Sequence, residues 1–365
     1  MTRTRMPFAA PAPRDDAAEV RAAIDRVVSS GWFILGPEVE AFEAEFADAT
    51  GAAHAVGVGN GTDALALILR ALGIGAGDEV ITTPLSAAYT ALAVIMAGAR
   101  PVFADIDPAR MTIDPDAVER AVTPRTRALL PVHLYGQAAD MAALERVAAR
   151  HNLAMVEDCC QAHLATAAGR PVGTIGVAGA FSFYPTKNLG ALGDGGAVTT
   201  RDPALAERVR RLRNGGQTAR YQHEEAGVNS RLDELQAAIL RARLPFLRGW
   251  TASRRTLAAG YRAGLSGTSV RVPPELDSGH VYHLFVVQTG NRAALQQHLA
   301  TQEISTLVHY PTPIPRQRAF AASRPAHCPL ADTACNELLS LPLYPGLDDV
   351  DLQRVVGAIG QFQEL

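Results

Sequence analysis

FSFYPTKNLGALGDGGAVTT, residues 181–200, decides how this chain is read. The run Ala180–Tyr184 alternates apolar and polar residues, as a half-buried strand does. Pro185 ends the ladder because it cannot donate to it. Lys187 follows on the turn, then Gly190, Gly193, Gly195 and Gly196, and a second short strand, Ala197–Thr200, closes the unit. A lysine set among apolar residues and glycines is desolvated. Desolvation disfavours its charged form and lowers its pKa, as an amine that condenses with a carbonyl requires. A surface lysine on a hairpin fits the same spacing, and the segment alone leaves both readings open.

Upstream, Leu153–Val156 reads as an apolar strand that runs into Glu157-Asp158. A carboxylate then stands at the end of a strand, followed at once by Cys159, Cys160, Gln161, Ala162 and His163. An aspartate here can hold a protonated ring nitrogen of a cofactor, with Gln161 and His163 in reach of other polar groups. A helix cap at Asp158 is the plainer alternative. Asp158, Cys159 and His163 are possible metal ligands, but neighbours in sequence do not readily converge on one ion, and there is no HExxH or CxxC. No metal is expected.

Further upstream, His54–Val58 reads as a strand. It enters Gly59-Asn60-Gly61-Thr62-Asp63 and then the apolar helix Ala64–Leu72. Strand, glycine turn and helix form an anion-binding geometry, because free N–H groups and the helix dipole point at the same place. The segment is neither GxxxxGK nor GxGxxG, so it supports no P-loop or dinucleotide fingerprint. A simple cap by Thr62 or Asp63 is the competing account.

Between these segments strands and helices alternate: strands at Asp78–Thr83, Pro101–Ile106 and Ala128–Leu134, helices at Ala87–Ala97, Asp114–Val122 and Met141–His151. Several of the strands are continuous apolar runs. The expectation is an α/β fold with a mostly parallel sheet covered on both faces and an active site at the carboxyl ends of its strands. Asp202–Leu212 reads as a helix. Asn214–Gly227 has no apolar periodicity and reads as a functional or mobile loop. Ser230 with Asp233 resembles a capping arrangement before an apolar helix that runs to Leu244. Pro245 marks the expected boundary between a large unit, 1–245, and a smaller α+β unit, 246–365. In the second unit strands are expected at Val281–Thr289 and Ser305–Val308, and helices at Trp250–Leu265, Arg292–Gln302 and Asp348–Ile359. Near the N-terminus, Gly31-Trp32-Phe33-Ile34-Leu35-Gly36-Pro37 is an apolar segment between breakers, suited to a partner surface or to the core.

Composition bounds the function. The chain has 365 residues, 48% hydrophobic and 19% charged, with a formal net charge of -3. That balance gives no electrostatic basis for binding nucleic acid. No apolar run approaches the roughly 20 residues of a membrane span, and the N-terminus lacks the apolar core of a signal peptide. Cys159, Cys160, Cys328 and Cys335 fit neither a zinc knuckle nor a disulfide framework, so reduced thiols in a cytoplasmic protein are expected.

Several segments together carry a resemblance: GNGTDAL from Gly59, PVHLYGQ from Pro131, VEDCCQAH from Val156, FSFYPTKNLGALGDGGAV from Phe181, NSRLDELQAA from Asn229 and VHYP from Val308. The chain resembles the DegT/DnrJ/EryC1/StrS sugar aminotransferases, which use pyridoxal 5'-phosphate (PLP) on a fold-type-I scaffold, the aspartate aminotransferase-like architecture. The resemblance implies that Lys187 holds the cofactor covalently and that Asp158 pairs with its ring nitrogen. It implies that Gln161 bonds the phenolic oxygen, and that Gly61, Thr62 and Ser182 bind the phosphate. Asn229 would reach that phosphate from a neighbouring subunit, making the working unit a homodimer with its active site at the interface.

Two departures stand out. Where the family stacks an aromatic ring on the cofactor, this chain has Ala87, so Tyr89 supplies the ring or that face is aliphatic. Where many members carry a histidine after the HYP motif, this chain has Pro315 followed by Arg316. The resemblance further implies glutamate as amino donor and a nucleotide-linked keto-sugar as acceptor, most like a dTDP-3-keto-6-deoxyhexose. His163, Tyr184, Tyr221, His309 and Tyr310 are the expected sugar contacts, with Arg220 toward the diphosphate. The alternatives are amination at C4, a PLP-dependent sugar dehydratase, or a regulatory protein on the same scaffold. Lys187 argues against the dehydratase, because the dehydratases expected in this family replace that lysine with histidine.

Overall fold

The computed structural model describes residues 5–320, 323 and 327–362. Seven strands form one sheet in the order His54–Val58, Gly196–Thr200, Ala178–Ser182, Ala154–Asp158, Thr126–Leu130, Glu79–Thr82, Arg100–Phe103. From Ala178–Ser182 to Arg100–Phe103 all neighbours are parallel, and Gly196–Thr200 runs antiparallel to both of its neighbours. His54–Val58 therefore points the same way as the parallel strands, and its last residue comes to the same edge as theirs. Val58 and Ser182 both pair with Gly196, and Asp158 pairs with Ala180. This register brings three loops, far apart in sequence, to one sheet edge.

Both faces are covered, which is why the strands read as apolar runs: all of Glu79–Thr82 and Gly196–Thr200 is buried. On one face Phe42 and Phe46 of the helix Pro37–Thr50 meet Phe181 and Phe183 edge-on, with ring centres 5.1 to 5.3 Å apart. Burying each such ring contributes about 1.5–3 kcal/mol. The strand that leads to Lys187 is thus anchored by its two inward phenylalanines. On the other face the helix Gly61–Ala71 packs Leu65, Ile68 and Leu69 in one cluster with Val56 and Val198.

The helix Pro37–Thr50 starts with Pro37 at its first position, where a missing N–H costs nothing. Its free N–H groups are capped from far away. Gly36, Glu38 and Val39 donate to the Glu234 carboxylate at 2.8, 2.9 and 2.8 Å. This cap, with the Glu234 N–H donated to the Phe33 carbonyl at 3.0 Å, ties the preceding turn to the helix Glu234–Arg243, with Trp32 56% and Phe33 50% exposed.

A second cluster of structure follows. Strands Phe285–Gln288 and Leu338–Leu341 pair antiparallel. Helices Leu247–Gly264 and Asp349–Gly360 share a core with them that includes Tyr261, Phe285, Leu339, Val355 and, from the N-terminus, Met6. No helix among the described residues is long and apolar enough to cross a membrane.

Pro245, the expected boundary between the two units, sits in a 3-10 turn, Leu244–Phe246, that joins helices Glu234–Arg243 and Leu247–Gly264, where its fixed φ is tolerated. Three local expectations are corrected. Ser305–Val308 is not a strand: Ile304 and Leu307 make single bridges, to Met6 and Ser340, because the chain only crosses the sheet edge there. The loop after Asn214 contains a small hairpin, Gln217–Ala219 with Gln222–His223. Ser230 caps no helix of its own: it accepts the Gly59 N–H at 3.0 Å and donates to Asp63 Oδ2 at 2.6 Å.

Candidate active site

A cavity of about 810 Å³ opens at the carboxyl edge of the sheet. Lys187 reaches it from the turn after Ala178–Ser182. Its N–H donates to the Tyr184 carbonyl at 2.8 Å, and the Ala191 N–H returns to Phe183 at 2.7 Å. Gly190 lies so close to Pro185 that a Cβ would stand 2.4 Å from the Pro185 carbonyl oxygen, so only glycine admits this turn. Lys187 is half-buried. Burial lowers the pKa of its amine, partly offset by Cys160 and Asp158 nearby. Its Nζ has no hydrogen-bond partner among the described residues. It is also the only lysine in the chain.

Asp158 ends its strand with both carboxylate oxygens engaged. Oδ1 accepts the Cys160 N–H at 3.1 Å and Oδ2 accepts the Thr90 hydroxyl at 2.8 Å. The Ser86 hydroxyl stands 3.2 Å from that of Thr90. Asp158 caps no helix, since a turn follows it. Gln161 is clamped at both ends: its Oε1 accepts the Tyr135 N–H at 2.8 Å and its Nε2 donates to the Tyr310 hydroxyl at 3.0 Å.

The helix Gly61–Ala71 begins beside these groups. Asn60, rather than Thr62 or Asp63, is its cap, accepting the Asp63 N–H at 2.9 Å. The N–H groups of Gly61 and Thr62 precede the first intrahelical bond and stay free for an anion. A Cβ on Gly61 would stand 2.6 Å from Cys160 Sγ and 2.8 Å from Ser182 Cβ, and one on Gly196 would stand 2.4 Å from the Asn60 carbonyl carbon. The glycines let the helix start press against the strand ends.

Of the residues singled out in the sequence, Gly61, Thr62, Ser182, Asp158, Gln161 and Lys187 line this one cavity. Tyr89, Tyr184, His309 and Tyr310 line it too, and so does Ala87. Burial pushes the His309 imidazole down to about 4, with the Lys187 charge adding to the effect. Four residues lie elsewhere. His163 is fully buried behind the strand, bonded through Nε2 to the Ser182 carbonyl at 2.9 Å and packed on Phe181 and Phe183. Burial pushes it down to about 3. Asn229 is exposed at the surface, and Tyr221, 78% exposed, sits with Arg220 on the tip of the small hairpin.

Thr90, Tyr135, Asn188 and His283 were not singled out from the sequence. Thr90 and His283 also line the cavity. Asn188 had a local signal, as the neighbour of Lys187; Thr90 and His283 had none, because what gives them meaning is contact across the fold.

Lys187 also borders a second cavity, of about 750 Å³, beside the helix Leu247–Gly264. Two of its arginines are already engaged. Arg243 lies 2.7 Å from Asp16, and Arg254 donates to the Tyr282, His283 and Leu343 carbonyls. His133, Glu157 and Cys159 form a buried group with metal-ligand chemistry. Glu157 accepts N–H bonds from Gly173, Ile175 and Gly176. His133 accepts the Ala139 N–H at Nδ1, so its Nε2 carries the hydrogen given to Glu157 at 3.0 Å. These bonds commit the carboxylate and the imidazole to the fold.

The sequence profile of the DegT/DnrJ/EryC1/StrS aminotransferase family matches residues 14–360. A dTDP-3-amino-3,4,6-trideoxy-alpha-D-glucose transaminase of Streptomyces venezuelae is 50% identical over 351 residues, 95% of this chain and 93% of that one. The crystal structure of S. venezuelae DesV in complex with a ketimine intermediate superposes with a TM-score of 0.96 at 49% identity, covering 98% of both chains. That of Bacillus subtilis NtdA with bound cofactor PMP does so with 0.92 at 30% identity, covering 98% of this chain and 85% of that one.

Proposed function

The chain belongs to the DegT/DnrJ/EryC1/StrS aminotransferase family, and from that premise we propose that it transfers the amino group of glutamate to C3 of a dTDP-linked 3-keto-6-deoxyhexose. It is a PLP-dependent sugar aminotransferase. The observation that carries the cofactor chemistry is the meeting of Lys187, Asp158 and the free helix start at Gly61-Thr62 in one cavity. An amine, a carboxylate and an anion cradle match an aldehyde, a ring nitrogen and a phosphate, so the residues present fit the cofactor. The named activity of the S. venezuelae transaminase supports the sugar class.

In this reading Gly61, Thr62 and Ser182 hold the phosphate, Asp158 the ring nitrogen and Gln161 the phenolic oxygen. The cofactor, when bound, supplies an aldehyde carbon for amine exchange and a ring that takes up an electron pair from the substrate. Lys187 tethers it, and once displaced takes the proton from the donor's α carbon. Its lowered pKa keeps a fraction of the amine unprotonated for that task. Asp158 keeps the ring nitrogen protonated, and its two hydrogen bonds orient the carboxylate for that contact. Tyr89 is the aromatic candidate for the ring face. Tyr184, His309 and Tyr310 are the sugar contacts from the chain's own cavity. His163 supports the site from behind by holding the Ser182 carbonyl.

Asn229, Arg220 and Tyr221 serve a second copy of the chain in this reading. They are exposed and lie outside their own cavity, which favours a homodimer with shared sites. The exposed Trp32 and Phe33 supply apolar surface for that interface. The division into units 1–245 and 246–365 is part of the same reading, supported by the separate core around Phe285 and Leu339, with Met6 crossing into it. The reaction is assigned to the cytoplasm, consistent with its four free cysteines.

A panel of nucleotide-linked keto-sugars assayed with glutamate tests this. Formation of 2-oxoglutarate is expected with the dTDP-3-keto-6-deoxyhexose. Turnover of 4-keto-sugars alone would overturn the C3 assignment.

A further inference from the structure

We propose that Phe8, on the N-terminal arm, is a positioning residue for His309: it holds the imidazole in the plane from which Nε2 meets the sugar. The inference rests on His309 being a sugar contact. The arm is pinned to the second cluster of structure. The Met6 N–H donates to the Glu303 carbonyl at 2.9 Å, and the Ser305 N–H returns to the Met6 carbonyl at 3.2 Å. Arg5 Nε donates to the Ser305 hydroxyl at 3.1 Å, and Met6 is buried in the core around Phe285. Two residues on, the Phe8 ring lies against His309, with ring centres 5.6 Å apart and planes inclined by 30°. Phe8 is half-buried and packs on the same apolar cluster as Tyr310.

The other sides of His309 are occupied as well. Its Nδ1 lies 2.9 Å from the Ser340 hydroxyl, and its carbonyl accepts the Tyr135 hydroxyl. Ser340 is itself locked: its N–H donates to the Leu307 carbonyl at 2.8 Å, and the Leu307 N–H returns to it at 3.3 Å. The Tyr310 ring stands edge-on to the imidazole at 5.5 Å and 89°. Nδ1 is thus committed to the fold. Nε2 has no partner among the described residues, and His309 lines the cavity. A single bond at Nδ1 leaves the tilt of the ring loose, because the outer torsion of a histidine side chain is broad. Phe8 against the ring supplies the constraint that sets this tilt.

The test uses the full chain with cofactor bound, following the glutamate and keto-sugar half-reactions separately by cofactor absorbance. Phe8→Ala is expected to raise KM for the nucleotide-linked keto-sugar about fivefold, the worth of one aromatic pair. The glutamate half-reaction is expected to stay unchanged, and Phe8→Tyr to stay near wild type. In a His309→Ala background the same substitution is expected to add nothing. A KM unmoved in Phe8→Ala overturns the proposal, and so does an equal rise with and without His309. The ring also reports directly. Lys187 and His283 in the cavity and Tyr135 and Tyr310 beside it are the titratable groups that face it, and the arm brings Arg5, held at Ser305. Removing the Phe8 ring lets water reach the imidazole. Its NMR titration midpoint, assigned by its loss in His309→Ala, is then expected to rise by at least about half a pH unit. An unmoved midpoint overturns the proposal. If His309→Ala leaves the keto-sugar half-reaction unchanged, the sugar-contact reading fails by itself, and the midpoint alone decides whether Phe8 holds the ring. If Phe8→Ala does not fold, Phe8→Leu is read in the same way.

Discussion

Thr90 donates its hydroxyl hydrogen to Asp158 Oδ2 at 2.8 Å, and both side chains are buried. The bond joins the first turn of the helix Tyr89–Met96 to the end of the strand Ala154–Asp158. It aims the carboxylate proposed to meet the cofactor ring. Thr90→Val keeps the shape and removes the donor. Leaving a buried acceptor short costs about 1–3 kcal/mol. Cofactor affinity is expected to fall about tenfold, read from titration of the visible cofactor band, with Thr90→Ser near wild type. Unchanged affinity in Thr90→Val would show that Cys160 alone orients Asp158.

Lys187→Ala removes the chain's only side-chain amine. The folded protein is expected to lose the visible band of the lysine-bound cofactor and all transamination. Borohydride treatment followed by peptide mapping is the check. A reducible linkage that persists at another site defeats the assignment of Lys187.

Gly61→Ala places a Cβ 2.6 Å from Cys160 Sγ and 2.8 Å from Ser182 Cβ. Overpacking of this kind costs about 1–3 kcal/mol. It also pushes the helix start away from the strand ends. The expected result is a lower melting temperature together with weaker binding of both PLP and inorganic phosphate. Loss of stability with phosphate binding intact would separate packing from anion recognition at this glycine.

His163 is wholly buried, and its pKa in the folded chain is lowered to about 3, from an unfolded value near 6.5. Between those values the unfolded chain binds a proton that the folded chain refuses. Stability is therefore complete above about pH 6.5 and falls by about 1.4 kcal/mol per unit as the pH drops toward 3. His309, lowered to about 4, acts in the same direction. Urea unfolding at stepped pH should show the acid slope reduced in His163→Gln. A slope identical to wild type would place the acid sensitivity in other groups.

Phe33→Asp sets a charge on the exposed apolar turn that Glu234 ties to its own helix. With the proposed dimer sharing its sites, the variant is expected to sediment as a monomer at micromolar concentration, to keep its circular dichroism, and to lose turnover. A dimer of full activity would move the interface elsewhere.

The local chemistry of the site was legible in the sequence. Strand, turn and glycine patterns bring Asp158, Lys187 and the Gly61 helix start to element ends, because periodicities of 2 and 3.6 residues and the conformations of proline and glycine are properties of short segments. The helix Met141–His151 and the strand His54–Val58 have the bounds their patterns predict. What joins these pieces was decided by the tertiary structure. Thr90 and Asp158 are 68 residues apart, Asn188 and His283 are 95 apart, and Glu234 caps Gly36 from 198 residues away. Each contact depends on sheet register and on which loop crosses which edge. Burial does the same for His163: two residues after Gln161 it reads as a ligand contact, but the turn it occupies and its packing on Phe181 and Phe183 place it in the core. Residue order determined the parts of a cofactor site, and packing determined which of them face the cavity, because hydrogen-bond direction and desolvation exist only once distant segments meet.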